Sequence, residues 1–181
     1  MLMLNACGCF DARILTIIES RRISWEDLAS GSGAAMDRLG MKESALKELL
    51  GLLSSGWYDR EVESCESMGV RLIFSGDPGY PSMLADMIDP PLVLYESGSG
   101  LPSGERVAVV GTRRCTSYGS NCASDLASVL VDVGVAVVSG GARGIDAAAH
   151  RGCMSSGGRT VAVTGTGADI SSPASHSGLF R

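Results

Sequence analysis

The apolar run Val107-Ala108-Val109-Val110-Gly111 is followed 28 residues on by Val135-Ala136-Val137-Val138-Ser139-Gly140, and 25 residues later by Thr160-Val161-Ala162-Val163. Each run is short, rich in β-branched residues and apolar at successive positions, which predicts a strand buried on both faces. Each leads into glycine, and helical segments are predicted between them, over about 117–132 and 144–154. The βαβαβ rhythm predicts an α/β fold built on a parallel, doubly wound sheet. Only about 17 residues follow the third run, fewer than an open sheet needs for its further strands. The chain is therefore expected to be a fragment or a truncated reading frame.

Upstream of this pattern the composition changes. Glu96-Ser97-Gly98-Ser99-Gly100-Leu101-Pro102-Ser103-Gly104 reads as a polar connection between two units. Before it, helical periodicity dominates. Phe10, Ile14, Leu15, Ile17 and Ile18 share one apolar face, and Ser24-Trp25-Glu26-Asp27 has the form of a capping box. Leu46, Leu49, Leu50 and Leu53 predict a helix over Lys42 to Ser54, with another from about Asp59 to Met68. Val70-Arg71-Leu72-Ile73-Phe74 and Leu92-Val93-Leu94-Tyr95 predict strands, separated by the turn signal Asp77-Pro78-Gly79. The expected organisation is a helical domain over 1–68, a connecting segment over 69–104 and the α/β domain over 105–181.

Hydrophobic residues make up 45% of the chain, which excludes a disordered protein. Twenty-four glycines against 5% aromatics suit tight strand-to-helix turns better than an aromatic-rich sandwich. The six cysteines show no CxxC spacing and have only His150 and His176 beside them, so no zinc site is predicted. They are read as reduced thiols of a cytoplasmic protein. No apolar run is long enough to span a bilayer, and no basic segment precedes the apolar Met1–Leu4, so neither membrane nor secretion is expected. The net charge of −5 argues against nucleic acid until it is divided: residues 1–100 carry −7, residues 101–181 carry +2, and every cation of the second part is arginine.

Ligands of open parallel sheets bind beyond the carboxyl ends of the strands. Three loops lie there: Gly111-Thr112-Arg113-Arg114-Cys115-Thr116-Ser117-Tyr118-Gly119, Ser139-Gly140-Gly141-Ala142-Arg143-Gly144-Ile145-Asp146, and Gly165-Thr166-Gly167-Ala168-Asp169. The first two combine glycine, hydroxyls and arginine just ahead of a helix, whose N-terminus favours anions. Arg113, Arg114 and Arg143 are expected to converge on one crest and to grip phosphate oxygens. Neither GxxxxGK[ST] nor GxGxxG is present, so an ordinary nucleoside triphosphatase and NAD binding are disfavoured. Gly165-Thr166-Gly167 reads as a turn. Asp146 and His150, four apart, read as a helix-terminal acid above a satisfied histidine rather than an acid–base pair. Ser139 lacks a base beside it, so no nucleophile is assigned.

Asp77-Pro78-Gly79-Tyr80-Pro81, Ile88-Asp89-Pro90-Pro91 with Val93-Leu94-Tyr95, Val109-Val110-Gly111-Thr112-Arg113 with Tyr118-Gly119, Ser139 to Asp146 with Ala149-His150, and Gly158 to Val163 together resemble the DNA-processing protein A (Smf) family, in order and spacing, from about 62 to 181. The helical N-terminus loosely resembles that family's small SAM-like or helix-hairpin-helix-like domain. The resemblance implies an extended Rossmann-like fold, here incomplete, that binds single-stranded DNA without strong sequence preference. It implies a recombination mediator of natural transformation that protects incoming DNA and loads the RecA recombinase, with neither enzymatic activity nor a cofactor. Carried across, Gly111, Thr112, Arg113, Arg114, Ser117, Tyr118, Gly119, Ser139, Gly140, Arg143, Gly144 and Asp146 would form the DNA-binding site, with Tyr118 stacking on a base. Ser172-Pro173 stands where the family usually has Tyr-Pro. The family's later half, which carries much of its dimer and RecA contact surface, does not follow Leu179-Phe180-Arg181, so a homodimer is implied for full-length members and not expected of this chain. The competing class is a Rossmann-like nucleotide-binding phosphoribohydrolase, whose Pro-Gly-Gly-x-Gly-Thr loop is missing here.

Overall fold

The structure is a computed structural model that describes residues 1–8, 13–40, 43–170, 173–174 and 178–179, without the side chains of Met36 and Glu43. Cys9, Phe10, Lys42, Ser172, His176, Phe180 and Arg181, which entered the sequence reading, lie outside the described residues. Contacts divide the chain into two compact units, Met1–Gly98 and Ser99–Arg181, with the boundary inside the polar Gly/Ser/Pro stretch.

The first unit contains α1 (Leu2–Ala6), α2 (Arg13–Ser20), α3 (Trp25–Ala29), α4 (Gly33–Leu39), α5 (Glu43–Ser54) and α6 (Trp57–Ser67), then β1 (Val70–Phe74), α7 (Ser82–Ala85) and β2 (Val93–Ser97). The N-cap half of the expected capping box forms: Ser24 Oγ accepts the Asp27 N–H at 3.0 Å and starts α3. Leu2, Leu4, Ile14, Ile18, Leu28, Leu39 and Leu49 form one core, joined by Leu92 and Val93 at the entrance to β2. Leu50, expected on the buried stripe of α5, is exposed, because the stripe runs through Ala45, Leu46, Leu49 and Leu53. β1 and β2 pair antiparallel, from Val70 opposite Ser97 to Phe74 opposite Val93. Asp77 makes the turn after β1, its carboxylate accepting the Phe74 N–H at 2.9 Å. Tyr80 then donates its hydroxyl to the Pro91 carbonyl at 2.7 Å, closing the loop ahead of β2.

The second unit runs β3 (Arg106–Ala108), α8 (Ser117–Asp132), β4 (Ala136–Ser139), α9 (Ile145–Ser155) and β5 (Thr160–Ala162). The strands are parallel in the order β3-β4-β5, giving the expected α/β, Rossmann-like plan. The strands are shorter than predicted, but the ladder continues past them: Val109 N–H donates to Val138 O at 2.9 Å and Val163 N–H to Ser139 O at 2.8 Å.

The expectation that all three strands are buried throughout fails for β3 and for the ends of the sheet. Arg106, Val107 and Ala108 are all exposed, as are Val110 at 70% and Val163 at 63%. The reason is topological. Right-handed crossovers between strands that advance in one direction place both helices on the same face. Val109 and Val137 meet Ala127, Ala149 and Cys153 there. Among the described residues only central β4 is substantially covered, and the sheet is wound on one face rather than two.

Candidate nucleic-acid interface

Both arginine-bearing loops are shaped by hydroxyl groups and one buried carboxylate. In the first, Thr112 Oγ1 accepts the Arg114 N–H at 3.1 Å, and Thr116 Oγ1 accepts the Gly119 N–H at 3.2 Å as the N-cap of α8. These two turns leave Arg113, Arg114 and Ser117 exposed. Tyr118 follows on the first turn of α8 and is 79% exposed, an aromatic face open to solvent. Cys122, one turn further along, pushes the pKa of the Tyr118 phenol above its ordinary value.

The second loop is locked to the first. Ile145 N–H donates to Thr112 O at 3.2 Å. Gly144 has φ +83°, and a Cβ there would lie 2.2 Å from Thr112 O and 3.0 Å from Arg113 Cα, so only glycine fits. Arg143, the exposed residue before Gly144, therefore leaves the backbone beside Arg113. Asp146 adds a second tie. Its side chain sits in the first turn of α9, the residue only 6% exposed, and accepts Gly111 N–H at 3.4 Å and Ala142 N–H at 3.3 Å, one on each loop.

The remaining candidates turn inward. Ser139 is buried and donates its hydroxyl to Val109 O at 2.7 Å, which fastens the end of β4 to β3. Gly140 lies against the Asp146 carboxylate. The Thr160 hydroxyl donates to Val137 O at 2.9 Å, so its oxygen accepts the Nδ1–H of His150 at 2.7 Å, which places the proton of this buried histidine on Nδ1. The Asp146 carboxylate thus takes loop amides while His150 Nδ1–H donates to the Thr160 hydroxyl. The third loop closes on itself, Ile170 N–H donating to Gly167 O at 3.0 Å. Grooves of about 300 and 270 Å³ lie away from these loops, lined respectively by residues such as Trp25, Tyr58 and Phe74, and Pro102, Val131 and Arg159.

Thr116, Ala142 and Ile145 were missed by sequence reasoning. The Thr116-x-x-Gly119 spacing ahead of a helix carried a capping signal for the first. Nothing local marked the other two, whose amides act across loops.

The family described as DNA recombination-mediator protein A matches residues 71–181, more than half of the chain and every candidate position above. The chain belongs to that family. Family relatives include a putative DNA processing protein DprA of Mycobacterium tuberculosis, 52% identical over 94 residues that make up 50% of this chain and 24% of the relative. Protein Smf of Synechocystis is 38% identical over 128 residues, 66% of this chain and 31% of the relative. The X-ray structure of DNA processing protein A from Streptococcus pneumoniae superposes with a TM-score of 0.76 at 28% identity, covering 99% of this chain and 61% of that one. The chain thus spans under two thirds of the length of these relatives. No described helix is long and apolar enough to cross a membrane.

Proposed function

We propose that the crest formed by the first two loops binds the phosphodiester backbone of single-stranded DNA, and that the protein acts as a non-enzymatic, cytoplasmic recombination mediator that passes this strand to RecA during natural transformation. The observation that carries the reading is the lock at Gly144, which sets Arg113 and Arg143 on adjacent backbone positions, exposed, with Arg114 on the same loop. Arginine forks at that spacing suit successive oxygens of a phosphate chain. Exposed Tyr118 offers a stacking face to an unpaired base, which a duplex does not present. Gly111, Thr112, Gly119, Ser139, Gly140, Gly144 and Asp146 support these contacts from behind, and Ser117 lines them.

The test is anisotropy of labelled oligo-dT against an equivalent duplex at two salt concentrations. Three arginine–phosphate contacts on a single strand give a log–log salt slope of about −2, or an affinity loss of about twentyfold between about 50 and about 200 mM. The Arg113→Ala, Arg143→Ala double variant should bind more weakly and reduce the slope to about −0.7. Unchanged affinity in that variant, or turnover of a nucleoside monophosphate without DNA binding, refutes the reading.

A further inference from the structure

A small phosphate at the end of a parallel sheet is ordinarily held by backbone N–H groups of the glycine turns and helix N-termini. In this protein five of those donors are already engaged. Gly111 N–H, at the end of β3, and Ala142 N–H, ahead of α9, both point at Asp146, at 3.4 and 3.3 Å, one on each carboxylate oxygen. Arg114 N–H is taken by Thr112 Oγ1, Gly119 N–H by Thr116 Oγ1 and Ile145 N–H by Thr112 O. The carboxylate is also sterically seated: a Cβ at Gly140 would come within 2.9 Å of its Oδ2, so the glycine admits it. Two oxygens of one negative group, each receiving an amide from a different loop, reproduce the bonding that two oxygens of a phosphate would make.

We propose that Asp146 is the specificity-determining residue of the crest: a built-in anion that fills the small-phosphate position and confines recognition to the outer arginines, and hence to polymeric phosphate. The inference rests on the crest being the anion-binding end of the sheet, the reading given under Proposed function. A mononucleotide or inorganic phosphate finds these five donors engaged and, behind the Gly111 and Ala142 amides, a negative charge. A DNA strand bridges Arg113, Arg114 and Arg143 without displacing the carboxylate. Asp146 touches no DNA in this account. It acts by exclusion and by holding the two loops in register.

The experiment follows the backbone amides of Gly111 and Ala142 by ¹H–¹⁵N NMR while the full chain is titrated with inorganic phosphate and with adenosine monophosphate, alongside oligo-dT anisotropy. In the parent protein the two amides should hold their positions. In Asp146→Ser they should move saturably with inorganic phosphate, and the preference for oligo-dT over inorganic phosphate should fall by at least about tenfold, the scale of one lost hydrogen bond to a charged group. Asp146→Asn keeps the volume and one amide acceptor, so it provides the same comparison if the serine variant does not fold. Saturable phosphate shifts of either amide in the parent, or none in a folded variant, overturns the proposal. Failure of the DNA reading is distinct: the parent would then not bind oligo-dT, whatever the two amides do with phosphate.

Discussion

Replacing Gly144 by alanine tests whether the two crest loops are locked as described. The residue has φ +83° and ψ −126°, a region that alanine enters at a cost of about 1–3 kcal/mol. The added methyl would also sit 2.2 Å from Thr112 O and 2.9 Å from the Arg113 carbonyl carbon, both backbone atoms that cannot swing aside. Overpacking of this kind costs about 1–3 kcal/mol. Together they predict a loss of about 3 kcal/mol, relieved only if the loops part. Both tryptophans lie in the first unit, so fluorescence would miss the change. The suitable assay is amide hydrogen exchange along α9, where protection should fall by about two orders of magnitude in Gly144→Ala. Gly165→Ala is the control, since nothing lies within 4 Å of its Cβ position, and should change stability by less than about 0.5 kcal/mol. Protection within a factor of about 3 of the parent would refute the lock. Lost protection with unchanged oligo-dT affinity would keep the lock and separate it from DNA binding.

Three further outcomes follow from the same geometry. Thr160→Val removes the acceptor of His150 Nδ1–H and the donor to Val137 O, and should destabilise the second unit by about 2 kcal/mol in urea unfolding followed by circular dichroism; a change below about 0.5 kcal/mol would sink the assigned network. Tyr118→Ala should weaken oligo-dT binding about tenfold or more while Tyr118→Phe retains it, because stacking needs the ring and not the hydroxyl; equal loss in both variants would point to the phenol instead. Burial pushes the Cys153 and Cys65 thiols above their ordinary 9.0, and burial likewise raises the Tyr80 phenol. In each case the folded state holds its proton after the unfolded chain has released it, so stability should fall as pH rises beyond about 9, with no loss from these groups at neutral pH. A midpoint that stays flat or climbs through that window would contradict the assignment.

The elements that were legible in the sequence are those with local punctuation. β1 is recovered residue for residue, with Asp77 turning the chain just after Phe74, and α8 begins where expected, at a Thr116 side-chain cap that sequence reasoning did not use. Helix α1 carries no such mark: its N-cap Met1 makes no side-chain bond, and it is stabilised by Leu2 and Leu4 in a core assembled from distant residues. The misjudged burial of β3 has the same origin. A β-branched run announces a strand, but the number of faces covered depends on strand order and crossover hand, which no window of eight residues contains.

The site shows where composition stops being informative. A net charge of −5 counts Asp146 as an anion facing any incoming phosphate and Arg113 as one cation among fifteen. The fold gives them unequal weight. Asp146 is buried with each oxygen engaged by a backbone amide, so its charge is spent on holding the loops and is presented to solvent hardly at all. Arg113 and Arg143 are exposed, and their position is fixed by the backbone bond from Ile145 N–H to Thr112 O and the close approach at Gly144 rather than by their guanidinium groups. A charged side chain that builds a site and one that reads a ligand are the same letter in a sequence. They differ in whether their hydrogen-bonding capacity is used inside the protein, and that follows from which amides the topology brings within about 3.5 Å.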